Sequence, residues 1–428
     1  MEVTIERILP GGLGLAHAEG KTVMVSLAAP GDRLRVRVDR EKGSVCFASI
    51  IEIIEPAPHR IEPSCSYFGR CGGCDFQQMT YQAQLDAKVE IIKDCLHRIA
   101  KLERLPDFQI TPAPNEWHYR ARAQWQYDSD RKRLGYFESG SRRVCDVAEC
   151  PVLVPELQWV LEDLRAQMAG NSLTPDTQYF RVIAGDESAM VAAGFTRTTR
   201  RGSYEDAGRD GETDEVTRTI AGESYSLGPE SFFQTNVEFL PQLIAAAIGE
   251  ERGETAVELY SGVGLFTLPL ARRFKRVIAV EDNPDAANFA RRNLANASVA
   301  NVEVETADVA RWLNLECGGR AQSRPRFGSG LPGDTNAEDQ IQSAVAAGAL
   351  QIDFLLLDPP RTGAESRVID GILQLAPNRI CYVSCEPATF ARDLKKLIAG
   401  GYSLDSLAAF DMFPQTHHVE TIAHLTAP

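Results

Sequence analysis

From about Phe239 onward the hydrophobic period of this 428-residue chain switches back and forth between two values. A helix-period stretch (Leu240–Ile248) leads into an apolar, strand-sized run (Thr255–Leu259), a glycine turn, a helix (Phe266–Arg273) and a second run (Arg276–Val280). Pro284–Asn296 and Val302–Glu305 continue the alternation, and Ile352–Leu357 and Arg379–Ser384 add two more runs. Strands alternating with helices pack as a parallel sheet covered on both faces. Residues 226–428 are therefore expected to form a doubly wound, Rossmann-like α/β domain. Such sheets bind ligands outside the carboxyl ends of their strands, so chemistry is sought just after each strand.

The rest of the chain reads differently. Val3–Ile8, Lys21–Ser26, Asp32–Val38 and Val45–Ile54 are short β-branched or alternating runs separated by glycine turns, which predicts an OB-like β-barrel over residues 1–56. Pro56 and Pro58 mark a boundary. Residues 57–225 form a strand-rich central domain, with one helix whose stripe is Leu85, Val89, Ile92, Leu96 and Ile99. Residues 203–216 hold six acids against Arg209 and read as a solvated loop. Residues 316–350 are rich in Gly, Ser, Pro and Asp and read as an insertion.

Charge bears on the partner. The net charge of −14 argues at first against nucleic acid, because phosphates reward Lys and Arg. The sum hides unlike patches. Residues 118–145 hold seven bases (Arg120, Arg122, Arg131, Lys132, Arg133, Arg142, Arg143) against Asp128, Asp130 and Glu138. An RNA partner is thus compatible with an acidic chain. No apolar run approaches the ~20 residues that span a bilayer. Met1–Pro10 has no apolar leader core. The expectation is a cytosolic protein.

In a reducing compartment clustered cysteines suggest a metal site or a nucleophile. Cys65-x5-Cys71-Gly-Gly-Cys74 places three thiols within ten residues, with two glycines that let the loop fold back. Thiolates suit zinc and iron–sulfur clusters alike. A fourth ligand is needed, and Cys145 and Cys150 are the nearest candidates downstream.

A second motif, Glu258-Leu-Tyr260-Ser-Gly262-Val-Gly264-Leu-Phe-Thr267, joins a strand to a helix. Glu281 ends the next strand, where an acid accepts hydrogen bonds from a ribose. The pattern fits a dinucleotide or S-adenosylmethionine (AdoMet), although Thr267 stands at the third glycine position. Asp358-Pro-Pro-Arg361 follows an apolar strand. Ser384-Cys385-Glu386-Pro387 puts a thiol before a helix, where the dipole favours a thiolate nucleophile. Cys381, inside the strand, reads as a small buried hydrophobe. Phe413-Pro-Gln-Thr-His417-His418-Val-Glu420 offers a base in Glu420, whereas the two histidines read as solvated turn residues.

Taken in order, these motifs, with Phe232-Phe233-Gln234-Thr235-Asn236, resemble the RNA (uracil-5-)methyltransferase family over nearly the whole chain. The barrel is similar to that family's RNA-binding TRAM domain. The resemblance implies AdoMet as methyl donor and a 4Fe–4S cluster held by Cys65, Cys71, Cys74 and Cys150. It implies a cofactor site of Gln234, Tyr260, Gly262, Gly264, Glu281, Asp308 and Asp358. Cys385 would be the nucleophile and Glu420 the base, with Phe232 or Phe233 stacked on a flipped uracil. The implied partner is RNA, ribosomal rather than transfer RNA by analogy, acted on by a monomer away from membranes. Leu265 and Glu386 stand where relatives often carry Asn, and neither change removes a reacting group.

Other classes fit less well. A radical-AdoMet enzyme spaces its three cysteines x3 and x2, not x5 and x2. An amino-methyltransferase with an Asp-Pro-Pro loop carries an aromatic residue where this chain has Arg361. A non-catalytic iron–sulfur RNA-binding protein would have no use for Cys385 and Glu420.

Overall fold

The computed structural model describes residues 1–194, 196–198, 204–206, 215–321 and 351–428. The chain divides into two compact units. The first comprises Met1–Arg98, Gln109–Gln242 and Ala409–Glu420, and the second Ile99–Phe108, Leu243–Ala408 and Thr421–Pro428.

The first unit opens with six strands: β1 (Glu2–Thr4), β2 (Arg7–Ile8), β3 (Gly14–Ala18), β4 (Lys21–Val25), β5 (Arg33–Lys42) and β6 (Val45–Glu55). Their order is β1-β5-β6-β4-β3-β2. The two edges are consecutive pieces of one N-terminal segment, so the sheet closes on itself and leaves little free edge. Alternating Val3, Ile5, Val23, Val25, Leu34, Val36 and Ala48 fill the interior. β3 lies where no strand was expected; Gly14-Leu-Ala-His-Ala18 has no β-branched residue and is held by its neighbours. Buried Asp32 accepts from the N–H groups of Ala29 (2.7 Å) and Ala57 (3.0 Å) and from Arg60, which fixes the exit from the barrel.

Helix α1 (Tyr81–Cys95) and the short strand β7 (Ile110–Thr111) follow. α1 buries Leu85 and Ile92, as the apolar stripe predicts, and also Gln84 and Lys88. Both polar residues find partners more than 300 positions away: Lys88 pairs with Asp411, and Gln84 bonds Gln415 at 3.0 Å. No local pattern signals such a face. Next come β8 (Arg122–Asp128), β9 (Arg133–Phe137), β10 (Val144–Asp146), helix α2 (Pro155–Ala169), β11 (Tyr179–Ala184) and β12 (Ala189–Gly194). The antiparallel sheet β10-β9-β8-β11-β12 packs Trp125, Leu134, Phe180 and Val182 against Leu157, Leu161 and Leu164 of α2. Two hairpins complete this part. β13 (Thr196–Thr198) pairs with β14 (Tyr204–Asp206), and β15 (Val216–Ile220) with β16 (Glu223–Leu227). The acidic stretch expected to be all loop thus contains β14. Its residues 203 and 207–214 lie outside the described residues.

The second unit follows helix α3 (Leu240–Ile248) with β17 (Gly253–Leu259), α4 (Thr267–Ala271), β18 (Phe274–Glu281), α5 (Pro284–Asn296), β19 (Val302–Thr306) and α6 (Val309–Ala321). After the gap come β20 (Phe354–Leu357), α7 (Ser366–Leu375), β21 (Arg379–Ser384), α8 (Pro387–Ala399), β22 (Ser403–Phe410) and β23 (Glu420–Thr426). The expected insertion at 316–350 begins inside α6, and its residues 322–350 lie outside the described residues. β19, β18, β17, β20 and β21 run parallel in that order, and β23 joins antiparallel. The strand order reverses at β17, beside β20, which is where a doubly wound sheet opens a ligand crevice.

Candidate functional site

The turn after β17 is built to approach a ligand. Tyr260, Gly262 and Gly264 have φ of 64°, 57° and 94°. That conformation costs a non-glycine residue ~1–3 kcal/mol, so strain is stored at Tyr260. A Cβ added at Gly262 would meet no atom within 4 Å, so the turn faces open space there. The Gly262 N–H donates to Glu281 Oε2 (2.8 Å) and the Asn283 N–H to Oε1 (2.9 Å). Burial pushes the Glu281 carboxyl above its usual range, and these two N–H groups oppose the shift. Ser261 Oγ is buried with no hydrogen-bond partner among the described residues. An enclosed hydroxyl beside open space is what a polar ligand completes.

Thr267 explains its own departure from glycine. Its Oγ1 donates to Glu258 Oε2 at 2.5 Å. Glu258 is buried in β17, and burial pushes its pKa to about 8, with Asp358 and Glu281 adding repulsion. Sequence reasoning did not single out Glu258, although an acid within an apolar strand was the available signal. Asp308 follows β19, is exposed, and caps the turn into α6 by accepting from the Arg311 N–H at 2.8 Å. Asp358 follows β20, half-buried, its N–H 3.4 Å from the Leu259 carbonyl. Tyr260, Glu281, Asp308 and Asp358 thus all sit at carboxyl ends of parallel strands.

So does Cys385, half-buried after β21. Glu386 caps α8 and Pro387 begins it. The Asp358–Gly363 loop is tied to the same helix. Thr389 Oγ1 donates to the Arg361 carbonyl (3.1 Å), and Arg392 to the carbonyls of Thr362 (3.1 Å) and Ala364 (2.9 Å). The Ala364 N–H donates to buried Asp393 at 2.9 Å. A Cβ on Gly363 would come within 2.5 Å of Arg392 and 2.7 Å of Asp393, so only glycine fits. The Asp358–Gly363 motif and the helix that follows Cys385 therefore form one hydrogen-bonded unit. Cys381 is fully buried, and burial drives its thiol well above the ordinary range, in keeping with a packing role.

The first unit carries the other candidates. Cys65, Cys71, Cys74 and Cys150 line one cavity with Tyr67, Gln77, Arg120 and Tyr136. Cys145 instead packs in the core and accepts from Arg70 Nε at 3.3 Å. Burial pushes the Cys71 and Cys74 thiols up to about 12 and raises Cys150 as well, so these sulfurs ionise only against a compensating positive charge. Arg120 also lines this cavity, and its Nε is buried with no hydrogen-bond partner among the described residues. Among the described residues no group of three or more Cys, His, Asp or Glu side chains is arranged to hold a metal ion.

Gln234 is buried in the same unit, and the two phenylalanines before it divide their work. Phe233 is packed on Tyr225, whereas Phe232 is 66% exposed with the Arg122 guanidinium 5.9 Å above its ring. Burial, and then Arg181, lower Arg122 to about 10, so it stays charged at neutral pH. Glu420 is fully buried at the start of β23. His417 is bonded to Asp75 and lies 4.1 Å from the His418 ring, so both histidines belong to a packed turn rather than a solvated one.

A doubly wound sheet with a glycine turn, strand-end acids and a thiol before a helix has the layout of a nucleotide-cofactor-binding α/β enzyme. Comparison with known proteins narrows this. A tRNA (uracil-5-)-methyltransferase family model matches residues 214–313 and 339–427, and a tRNA (uracil(54)-C(5))-methyltransferase TRAM-domain model matches residues 1–59. An uncharacterized RNA methyltransferase of Thermosynechococcus vestitus is 31% identical over 100% of this chain and 98% of its own length. The 23S rRNA (uracil(1939)-C(5))-methyltransferase RlmD of Alkalilimnicola ehrlichii is 31% identical over 99% and 95%. The structure of the Pyrococcus abyssi tRNA (uracil-54, C5)-methyltransferase with S-adenosyl-L-homocysteine superposes with a TM-score of 0.69, at 25% identity, over 99% of this chain and 100% of that one. The chain belongs to the RNA (uracil-5-)methyltransferase family. Among the described residues no helix is long and apolar enough to cross a membrane.

Proposed function

We propose that this enzyme methylates carbon 5 of one uridine in large-subunit ribosomal RNA, with AdoMet as donor. The observation that carries the reading is Cys385, which follows β21 at the ligand-binding edge of the sheet, with the Asp358–Gly363 loop bonded to the helix after it. The relatives named for 23S rRNA favour ribosomal over transfer RNA.

AdoMet supplies an electrophilic methyl group. Gln234, Tyr260, Gly262, Gly264, Glu281, Asp308 and Asp358 are assigned to hold it; the open face at Gly262 and the unsatisfied Ser261 hydroxyl support this. Cys385 Sγ adds to carbon 6 of the uracil, and the displaced electron pair makes carbon 5 nucleophilic toward that methyl. Glu420 then takes the carbon 5 proton, the carbon 5–carbon 6 double bond re-forms, and the Cys385 thiolate leaves. General-base help of this kind contributes ~10²–10⁴-fold. A stacked base is shielded, so the uridine must be flipped out, and exposed Phe232 is suited to stack on it.

The cysteine cavity is assigned to a 4Fe–4S cluster held by Cys65, Cys71, Cys74 and Cys150. Four thiols lining one cavity suit such a cluster, whose iron would supply the positive charge that buried thiolates require. Arg120 suits an anionic cluster. Residues 1–56, 57–225 and 226–428 serve as RNA-binding, cluster-bearing and catalytic parts.

Mapping 5-methyluridine in total RNA from cells with and without the gene tests the substrate. Loss from one large-subunit rRNA position is expected; loss from tRNA alone overturns the ribosomal assignment.

A further inference from the structure

The residue after the third clustered cysteine reaches the segment that carries the base. Asp75 follows Cys74, and its backbone N–H and that of Phe76 both donate to the Gln415 carbonyl, at 3.1 and 3.0 Å. Its carboxylate returns the contact. Oδ1 accepts from the His417 N–H at 2.9 Å, and Oδ2 meets His417 Nδ1 at 2.5 Å. Four hydrogen bonds therefore join two consecutive residues of the cysteine loop to residues 415 and 417. Gln415 has φ of 68°, a conformation that persists in a non-glycine residue only when its surroundings impose it. The barrel closes over the same point. A Cβ on Gly12 would come within 2.5 Å of Asp75 Oδ2 and 3.2 Å of His417. Glu420 lies three residues beyond His417, fully buried.

We propose that Asp75 is a positioning residue for proton removal: it fixes the Gln415–Glu420 segment to the cysteine loop. A cluster held by Cys74 would then bear on the reaction through Asp75, by fixing the segment that carries the base. This rests on the reading of Glu420 as base and of Cys74 as a ligand. The loop geometry gives the reason for a cluster in a reaction with no redox step. A cluster would pin a short, irregular loop whose Asp75 carboxylate holds a second irregular segment.

The distinguishing readout is where the reaction stops. An enzyme that adds to carbon 6 and transfers the methyl but cannot take the proton accumulates as a covalent RNA–protein adduct on ordinary uridine. Asp75→Ala, Asp75→Asn and His417→Ala are compared with Glu420→Gln in the full-length enzyme, loaded with iron, with AdoMet and a uridine-containing rRNA fragment. Adduct is measured on denaturing gels, and iron content and Tm are measured alongside. The expectation is a turnover loss of at least tenfold in Asp75→Ala and His417→Ala with adduct accumulating, iron content unchanged in His417→Ala, and partial recovery in Asp75→Asn. If Glu420→Gln accumulates adduct and His417→Ala and Asp75→Ala do not, the positioning role is refuted and the base assignment stands. If Glu420→Gln itself accumulates none, the base assignment fails and the positioning role falls with it.

Discussion

Ser384 and Thr421 face each other across the antiparallel pair β21/β23, and Thr421 Oγ1 donates to the Ser384 carbonyl at 3.0 Å. Cys385 is the next residue after Ser384, and Glu420 is the residue before Thr421. One ladder rung thus fixes the chain at the step beside the proposed nucleophile and at the step beside the proposed base. An antiparallel strand added to a parallel sheet achieves this, because it starts at the edge where the parallel strands end.

The buried acid of β17 gives the enzyme a specific pH dependence. The folded-state pKa of Glu258, about 8, lies above its unfolded value near 4.5. The folded state therefore binds the extra proton, and stability falls as pH rises from about 4.5 through 8. Glu258→Gln removes that slope and still accepts from Thr267. Thermal unfolding from pH 6 to 9 is expected to show the variant gaining on the wild type by a few kcal/mol, since each pH unit between the two pKa values is worth ~1.4 kcal/mol.

Phe232 and Phe233 should separate binding from stability. Truncating the exposed ring to Ala removes a stacking platform worth ~1–3 kcal/mol, so RNA affinity or KM weakens roughly 5- to 150-fold with Tm unchanged. Truncating Phe233 opens a core cavity and costs ~3–5 kcal/mol of stability. Filter binding and thermal melts on the two variants check the division.

The cysteine assignments differ in consequence. Serine at Cys65, Cys71, Cys74 or Cys150 is expected to lower iron and acid-labile sulfide in anaerobically purified protein. Cys145→Ser, in the core beside Arg70, should keep both. Zinc without sulfide in the wild type would contradict the cluster.

Lys88 and Asp411 are both fully buried, and Lys88 also donates to the Phe413 carbonyl at 3.1 Å. Lys88→Met strands a buried carboxylate and is expected to cost ~3–5 kcal/mol. Adding Asp411→Leu should recover most of that loss, as read from denaturant midpoints of the single and double variants.

These elements also show what a sequence discloses. The α/β alternation was readable because each strand and helix of the second unit buries its own local apolar pattern. Helix Pro284–Asn296 and strand Arg379–Ser384 carry the expected boundaries. Strand β3 was not readable, because its small residues are strand only by virtue of β2 and β4. Helix α7 passed unread as well. The polar face of α1 was hidden because Gln84 and Lys88 are satisfied by Gln415 and Asp411, and no local period encodes so distant a partner. The proposed reacting residues, Cys385 and Glu420, stand in recognisable motifs. Of the residues around them, Asp75 and Asp393 look in sequence like ordinary surface acids, whereas Glu258 stood out only as an acid within an apolar strand.

The covalent route through Cys385 and Glu420 is tested most directly by incubating Glu420→Gln and Cys385→Ala enzymes with AdoMet and uridine-containing rRNA fragment, followed by denaturing electrophoresis. The account predicts a stable RNA–protein adduct carrying the transferred methyl in Glu420→Gln and none in Cys385→Ala. Adduct in Cys385→Ala, or methylated free RNA released at the wild-type rate by Glu420→Gln, would contradict it.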